Sequence, residues 1–383
     1  MAQQIALQVH FNFSQSKDRA FICHHSSHLL LHEKDTSAYL LKMKPLIVPA
    51  AEGMRVQQPI SFQDIQQIVE NSEVPPASVI VECPHREIGG KATSFADLER
   101  LSEYCRARGI ALHMDGARLW EALAHYTTCT TSSGKPVTRE ILCGLFDSIY
   151  VSTYKGIGGL TGALLLGSVN FITEARVWQR RYGGNVYTLL PYAVSAYACF
   201  RDYLAWNDPS TETVHDGSSV VVPYSMKTRL ARLTHVVALL SSHFASTANA
   251  DGKNMDANGG LLVPLVRFDP PVPVVCLIHV YICASVEAAT AAHVLSQKET
   301  GVSCFARLRP ASPVGMAASG AMLPEECYFE FNLVSFFLVH WMSCFVTCCQ
   351  CVLCCFCLFF VFVYFFICFF SVLGLGQWNN IGR

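Results

Sequence analysis

Short apolar runs alternate with helix-forming segments between residues 60 and 200. Runs of this length are typical of buried strands and are too short for helices. Strands are therefore predicted at 79–81, 110–112, 148–151 and 162–166. Helices that alternate with such strands predict an α/β fold in which helices cover a central, mostly parallel sheet.

Capping residues mark several of the helices. Ser61 is placed to begin one helix, and Ser94, with Asp97 three residues later, is placed to begin another. Gly109 suits the left-handed position that ends this second helix. Further helices are predicted at 170–181, 191–204 and 223–242.

A polar stretch rich in turn-forming residues, 207–219, separates two parts of the chain. We expect a large domain before it and a smaller α/β domain after it, because 383 residues suffice for two globular units. The predicted bounds are 1–205 for the large domain, 206–332 for the small C-terminal domain and 333–376 for an apolar, Cys-rich tail.

The tail differs sharply in composition from the rest of the chain. No Asp, Glu, Lys or Arg occurs from Phe331 to Ile381. About 20 apolar residues cross a bilayer, so segment 333–375 is long enough for one or two spans. Three interpretations stay open: a membrane anchor, a read-through or frame-shifted end of the gene prediction, and a buried core segment.

Overall composition narrows the class of protein. The net charge of -1 and the 15% of charged residues argue against a nucleic-acid-binding surface, which needs clustered basic residues. Outside the tail, cysteines occur singly along the chain, a pattern typical of buried thiols in a reducing compartment. The N-terminus lacks a basic region followed by an apolar one, so we expect the globular part to be cytoplasmic. No metal site is predicted.

Two residues at predicted strand ends suggest the chemistry. Asp115 follows the strand at 110–112, and Lys155 follows the strand at 148–151. A lysine can hold pyridoxal phosphate as a Schiff base, while a carboxylate keeps the pyridine nitrogen of that cofactor protonated. Taken singly, Asp115 would suit a helix cap and Lys155 a solvated surface. The glycines that follow them, Gly116 and Gly156, permit close backbone approach.

Three motifs together extend this interpretation: Asp-Gly-Ala-Arg at 115–118, Ser-Thr-Tyr-Lys-Gly at 152–156 and Arg-Arg-Tyr-Gly-Gly at 180–184. Through them the chain resembles the aromatic amino acid β-eliminating lyase/threonine aldolase group of fold-type I pyridoxal-phosphate enzymes. The low-specificity L-threonine aldolases are the most similar of that group. The resemblance covers about residues 1 to 330 and implies the fold-type I large domain.

The resemblance also implies roles for individual residues, each with a simpler alternative. His28 would stack on the cofactor ring, or be a surface histidine. His85 would lie near the substrate hydroxyl, or be a structural turn residue. Arg118 would help to hold the cofactor and the substrate carboxylate, or form a surface ion pair. Arg180 would lie close to the cofactor phosphate, or at a solvated helix end. Lys155, His28 and His85 are thus the expected catalytic residues.

The activity that the resemblance implies is cleavage of a β-hydroxy-α-amino acid into glycine and an aldehyde by a homodimer or homotetramer. β-Elimination would use the same residues. A third alternative is a catalytically impaired, membrane-tethered remnant. This alternative is based on the absence of the family's phosphate-binding turn. The turn would lie just upstream of Met1, and this chain begins with the helix that follows it.

Overall fold

The computed structural model describes residues 1–17, 19–50, 57–73, 75–206, 225–249, 266–282, 286–300, 309–310 and 327–332. The helices in this part are α1 (Ala2–Phe13), α2 (His28–Leu31), α3 (Thr36–Tyr39), α4 (Phe62–Glu70), α5 (Phe95–Arg108), α6 (Leu119–Tyr126), α7 (Arg139–Cys143), α8 (Val169–Arg181), α9 (Leu190–Trp206), α10 (Met226–Asn249) and α11 (Val286–Thr300). The strands are β1 (Ala20–His24), β2 (Lys44–Val48), β3 (Ser78–Glu82), β4 (Ala111–Gly116), β5 (Ser148–Ser152), β6 (Ala163–Gly167), β7 (Val266–Asp269), β8 (Leu277–Ile282), β9 (Arg309–Pro310) and β10 (Cys327–Asn332).

A six-stranded sheet forms the centre of the large unit, in the order β2-β1-β3-β4-β5-β6. The first five strands are parallel, and β6 runs antiparallel to β5. Strands β1, β3, β4 and β5 are almost entirely buried, as expected for parallel strands covered on both faces. This confirms the predicted α/β fold with a mostly parallel sheet.

Strand β6 is an exception within this sheet. It forms one edge of the sheet, and most of its residues are exposed. Its antiparallel direction follows from the short connection after β5, because a parallel neighbour would need a longer crossover.

Helix α1 packs over the middle of the sheet and against α8. Ile5, Ala6 and Val9 of α1 share a buried apolar cluster with Phe171 and Ala175 of α8. The middle of α1 therefore supports the sheet, while Gln4 in its first turn donates a side-chain hydrogen bond to Glu33.

The predicted helix caps are confirmed. The Ser61 side chain accepts a hydrogen bond from the Asp64 backbone at the start of α4, and Ser94 does the same with Asp97 at the start of α5. Gly109 follows α5 with φ +65°, a left-handed conformation that a side chain would strain. Local chemistry thus fixes these helix ends.

A second sheet has the order β7-β8-β10-β9 and is antiparallel. The described residues fall into two compact units, the first within 1–52, 56–233 and 273–276 and the second within 234–272 and 277–383. The expected break at 207–219 lies outside the described residues, and the domain bounds 1–205 and 206–332 stay a prediction.

The apolar tail 333–376 also lies outside the described residues. Within the described ranges, no helix combines the length and the apolar character that a membrane span requires.

Candidate active site

Polar side chains converge where β3, β4 and β5 end. Glu82 closes β3 and lies opposite Asp115 in the sheet register, and Asp115 in turn lies opposite Tyr150 of β5. Lys155 follows three residues after the end of β5. The carboxyl ends of parallel strands are where α/β folds bind ligands. The structure therefore brings the predicted Asp115 and Lys155 to one end of the sheet.

Asp115 is a buried carboxylic acid. Its Oδ1 accepts a hydrogen bond from the Ala117 backbone N–H at 3.0 Å. Burial, followed by the nearby Glu82 carboxylate, raises the pKa of Asp115, which lies at about 7. Lys155, the Ala117 N–H and His28 act in the opposite direction. A cation placed against this carboxyl would stabilise its ionised form.

Lys155 lies among two cations and two carboxylates. Burial lowers the pKa of its amine, and the Arg118 and Arg86 guanidinium groups lower it further. Asp115 and Glu82 partly offset this decrease. A lower pKa increases the fraction of neutral amine, which is the nucleophilic form that reacts with a carbonyl group.

The two glycines next to these residues allow the close contacts that the sequence predicted. A Cβ atom on Gly116 would lie 2.7 Å from the Tyr150 carbonyl oxygen. A Cβ atom on Gly156 would lie 2.9 Å from Cγ of Glu121. Both distances are too short for a side chain, so the backbone approaches its neighbours more closely here than any other residue would permit.

His28 begins α2 beside the acidic strand ends. Its backbone N–H donates to Oε1 of Glu82 at 2.8 Å, and its ring Nε2 lies 3.2 Å from Oε1 of Glu33. The hydrogen bond with Glu33 raises the pKa of His28 against the effect of burial, and Asp115 contributes to the increase. The imidazole, with 39% of its side chain exposed, thus belongs to the same electrostatic group as Asp115.

His85 is buried just after β3, with only 2% of its side chain exposed. Its Nε2 lies 3.0 Å from Oγ of Ser26, 3.3 Å from the Ser26 carbonyl oxygen and 3.8 Å from Oε2 of Glu82. The Glu82 contact connects His85 to the acidic end of β3. Its role in catalysis stays a prediction.

The two predicted arginines differ in position. Arg118 immediately precedes α6, has 11% of its side chain exposed, and its Nε lies 3.9 Å from Oε1 of Glu121. Its effect on the pKa of Lys155 places it near the lysine. Arg180 is exposed in the last turn of α8 and borders a surface cavity of about 590 Å³ with Arg176 and Arg181. Among the described residues, no contact joins Arg180 to Lys155 or Asp115, and its phosphate-binding role stays a prediction.

Two charged residues at the site were not predicted there. Glu82 lies near Asp115, His28 and Lys155, and Arg86 lies near Lys155. The position of Glu82 was accessible from sequence, because Glu82 and Asp115 each follow an apolar run predicted as a strand, at 79–81 and 110–112. Arg86 begins a single 3-10 turn, Arg86–Ile88, which is too short for a periodic pattern to indicate where its side chain lies.

The sequence profile of the beta-eliminating lyase family matches residues 1–239. The chain belongs to this family. The aldolase vrtJ of Penicillium aethiopicum is 31% identical over 186 residues, which are 49% of this chain and 44% of that protein. The low-specificity L-threonine aldolase of Candida albicans is 26% identical over 170 residues, 44% of this chain and 42% of that protein. The chain thus spans less than half the length of these relatives.

Solved structures agree with this assignment. A protein described as an L-allo-threonine aldolase from Listeria monocytogenes EGD-E superposes with a TM-score of 0.64 at 32% identity, covering 87% of this chain and 74% of that one. A protein of Exiguobacterium sp. 255-15, described as an aromatic amino acid beta-eliminating lyase/threonine aldolase, gives a TM-score of 0.62 at 29% identity, with 88% and 75% covered. The beta-eliminating lyase fold is therefore that of the fold-type I pyridoxal-phosphate enzymes.

Pyridoxal phosphate is the cofactor of this family, and the residues present fit it. Asp115 offers a buried carboxyl with a raised pKa, which a pyridinium N–H would stabilise in its ionised form. Lys155 offers an amine whose pKa burial lowers. In the first turn of α1 the Gln4 side chain donates to Glu33, and no side chain caps the backbone N–H groups of that turn. Such groups suit an anion.

Proposed function

We propose that this beta-eliminating lyase family member is a carbon–carbon lyase that cleaves a β-hydroxy-α-amino acid, similar to threonine, into glycine and an aldehyde. The observation that carries the proposal is the joint position of Asp115 and Lys155. Asp115 lies near the carboxyl end of β4 and Lys155 follows the adjacent parallel strand β5, and the two residues alter each other's pKa. The names of the relatives support the substrate class.

The charged residues of the site have different proposed roles. Pyridoxal phosphate, when bound, supplies the ring that accepts the electron pair released at the substrate α-carbon. Asp115 would hold a proton on the ring nitrogen, and Lys155 would provide the attaching amine. Arg118 would bind the substrate carboxylate, because a guanidinium offers two parallel N–H donors to a carboxylate.

Two histidines are placed to handle protons and orientation. His85 would take the proton of the substrate β-hydroxyl, as a general base does. Glu82, 3.8 Å from His85, would stabilise the resulting imidazolium. His28 would lie over the ring, with its orientation fixed by Glu33 and Glu82. Arg180 would contact the phosphate.

Absorption spectroscopy tests the cofactor assignment first. The chain purified with pyridoxal phosphate should show a visible band from the lysine-bound cofactor, and Lys155→Ala should lack that band. Arg139→Ala, a change at an exposed arginine, is the control. Absence of the band from the unaltered chain would contradict a working enzyme and favour the impaired remnant.

Product analysis tests the reaction. With threonine, we expect acetaldehyde and glycine in equal amounts. Ammonia with a keto acid would instead identify β-elimination.

We also propose that the chain self-associates as a homodimer or homotetramer. Large apolar side chains of α9 and the segment before it are exposed, including Tyr187 (92%), Leu190 (74%) and Tyr197 (70%). Exposed apolar patches of this kind mark interaction surfaces. Sedimentation equilibrium should give at least twice the chain mass of 42.3 kDa, and a monomer would contradict the proposal.

Segment 333–375 supports a separate proposal, attachment of an otherwise cytoplasmic enzyme to a membrane. Its support is the charge-free composition alone. Carbonate extraction decides it, since release into the soluble fraction would contradict a spanning anchor.

A further inference from the structure

A chain of hydrogen bonds runs from β1 to His85. Nε2 of His24 lies 3.0 Å from the Gln58 carbonyl oxygen, and Nδ1 of His24 lies 2.9 Å from Oγ of Ser26. The same Oγ lies 3.0 Å from Nε2 of His85. The family resemblance assigns no role to His24 or Ser26, and the proposed function does not use them.

The chemistry of the donors fixes where each proton lies. The Gln58 carbonyl oxygen is only an acceptor, so Nε2 of His24 carries a proton. Since a neutral imidazole has one N–H, Nδ1 of His24 holds a lone pair, which accepts from the Ser26 backbone N–H at 3.2 Å and from the Ser26 hydroxyl at 2.9 Å. Oγ of Ser26 then has a lone pair left for His85, and Nε2 of His85 must be the donor.

A second set of contacts leads to the same result. Nε2 of His85 also faces the Ser26 carbonyl oxygen at 3.3 Å and Oε2 of Glu82 at 3.8 Å. Both groups accept hydrogen bonds, so both favour a proton on Nε2. Among the described residues, Nδ1 of His85 has no hydrogen-bond partner. A neutral His85 therefore carries its lone pair on Nδ1.

Burial keeps His24 neutral. His24 is almost fully buried, and burial, followed by His85 and His25, lowers its pKa to about 3. Its ring centroid lies 4.6 Å from that of His85 and 4.1 Å from that of His25. Burial also lowers the pKa of His25. Beyond these histidines, the ionisable side chain that the described residues place against the His85 ring is Glu82, 3.8 Å away at the end of β3.

We propose that His24 and Ser26 are positioning residues that hold His85 in one tautomer, with the proton on Nε2 and the lone pair on Nδ1. Nδ1 then takes the proton of the substrate β-hydroxyl. The imidazolium that forms keeps its Nε2–H bond to Ser26 and lies beside the Glu82 carboxylate. This inference rests on the proposed function for the identity of the proton donor, but the tautomer itself does not depend on it.

Nitrogen NMR measures the tautomer directly. The cofactor-loaded protein, labelled with 15N in its 14 histidines, should show His85 with an unprotonated Nδ1, and His85→Gln assigns the signals. Ser26→Ala, which keeps the Ser26 carbonyl and the Glu82 carboxylate beside Nε2, should raise the tautomer protonated on Nδ1 to a detectable minor fraction. Ser26→Thr, which keeps a hydroxyl, should restore a single tautomer. A protonated Nδ1 in the unaltered protein, or no change in Ser26→Ala, would overturn the inference.

Kinetics provides the second readout. Ser26→Ala should lower kcat/KM by about ten-fold, the equivalent of one hydrogen bond, and shift its acid limb. His24→Asn should retain most activity, because the Asn oxygen replaces the Nδ1 acceptor. Ser27→Ala is the matched control, since the neighbouring Ser27 hydroxyl bonds to neither histidine. We call the chain of hydrogen bonds from His24 through Ser26 to His85 the relay. If kcat/KM and its pH profile are the same in Ser26→Ala and Ser27→Ala, the relay has no role in the reaction.

The two proposals fail in different ways. Cleavage of threonine by a protein whose His85 has a protonated Nδ1 would reject the relay and leave the lyase assignment intact. The expected tautomer in a protein that cleaves no β-hydroxy amino acid would reject the lyase assignment and leave the relay geometry intact.

Discussion

Strand β4 carries two buried polar side chains two residues apart, and their surroundings differ. Nδ1 of His113 lies 2.7 Å from Oγ of Ser148, which in turn lies 2.6 Å from Nε2 of His10. Nε2 of His113 lies 2.7 Å from Oε1 of Gln3. At Asp115, the neighbours are instead the charged groups Glu82, Lys155 and His28.

Both regions bury polar atoms, but only one buries charge. Burial lowers the pKa of His113 to about 3 and that of His10 to about 4, so both are neutral near pH 7. Their N–H groups and lone pairs match those of Ser148 and Gln3. At Asp115 the titratable groups shift one another's pKa. Buried neutral networks stabilise a fold, while coupled charges favour chemistry at a cost in stability.

The largest effect should follow from Asp115→Asn. Losing the carboxylate should lower kcat by roughly 10³-fold, because one fixed electrostatic contact to a reacting group contributes about that much. The cofactor-free variant should meanwhile gain about 2 kcal/mol of stability at pH 8, since a carboxyl with a raised pKa destabilises the fold once ionised. Steady-state kinetics and urea unfolding measure the two effects. Glu140→Gln, an exposed carboxylate, is the control. Full activity in Asp115→Asn would contradict its assigned role.

Ser148→Ala should break the neutral network. Removing the hydroxyl leaves His10 and His113 without their shared partner, at a cost of about 2 to 3 kcal/mol in the free energy of unfolding. The matched control is Ser78→Ala on β3, whose buried hydroxyl has no hydrogen-bond partner within the described part of the chain. Because no hydrogen bond is lost there, that change should not lower the free energy of unfolding. Equal losses in the two variants, measured by urea unfolding, would show that the network adds no stability.

The neutral network around His113 and the charged group around Asp115 should also have opposite effects on the free energy of unfolding as the pH falls. The unfolded chain binds protons on His10 and His113 below about pH 6.5, while the folded chain resists them down to about 4 and 3. Each histidine should therefore remove up to about 1.4 kcal/mol of stability per pH unit as the pH falls below 6.5. Asp115, with its pKa raised to about 7, adds stability as the pH falls from 7 towards 4.

Urea unfolding at several pH values separates these contributions. His113→Asn should make the loss of stability with acid shallower, and Asp115→Asn should make it steeper. If His113→Asn leaves the slope unchanged, the histidine is already protonated in the folded protein.

The smallest effect concerns Glu33, which holds His28 at the edge of the charged region. Glu33→Gln should lower the pKa of His28, because the hydrogen bond to the carboxylate is the main cause of its increase. Kinetic effects should stay below about ten-fold, since His28 is partly exposed. Glu87→Gln is the control, as Glu87 pairs with His32 at 2.9 Å in the same way. NMR titration of the His28 ring measures the shift, and an unchanged pKa would show that Glu33 does not set it.

Sequence reasoning located what local chemistry determines. The apolar runs at 79–81 and 148–151 became β3 and β5, and the caps at Ser61 and Ser94 formed as predicted. Asp115 and Lys155 were found because each follows an apolar run with a glycine behind it. These signals need only a few neighbouring residues.

Hydrogen bonds between side chains far apart in the sequence could not be predicted from it. The relay from His24 to His85 joins residues 61 positions apart by number and depends on the register of β1 with β3. The network of His10, His113 and Ser148 forms only if α1 packs on the sheet at the position that brings His10 to Ser148. Helix α10 also ends at Asn249, beyond the predicted 242, because no strong stop signal follows.

Strand β6 has a practical consequence for anyone who handles this protein. Edge strands offer open backbone groups to other chains, and natural proteins usually protect them with charged residues. Here Leu164 and Leu166 are exposed, and no Asp, Glu, Lys or Arg occurs from Gly156 to Thr173. The strand is therefore a template for aggregation during expression and storage. A lysine at position 166, opposite Ile149 and away from the carboxyl end of β5, would act as a gatekeeper and improve the yield of soluble protein.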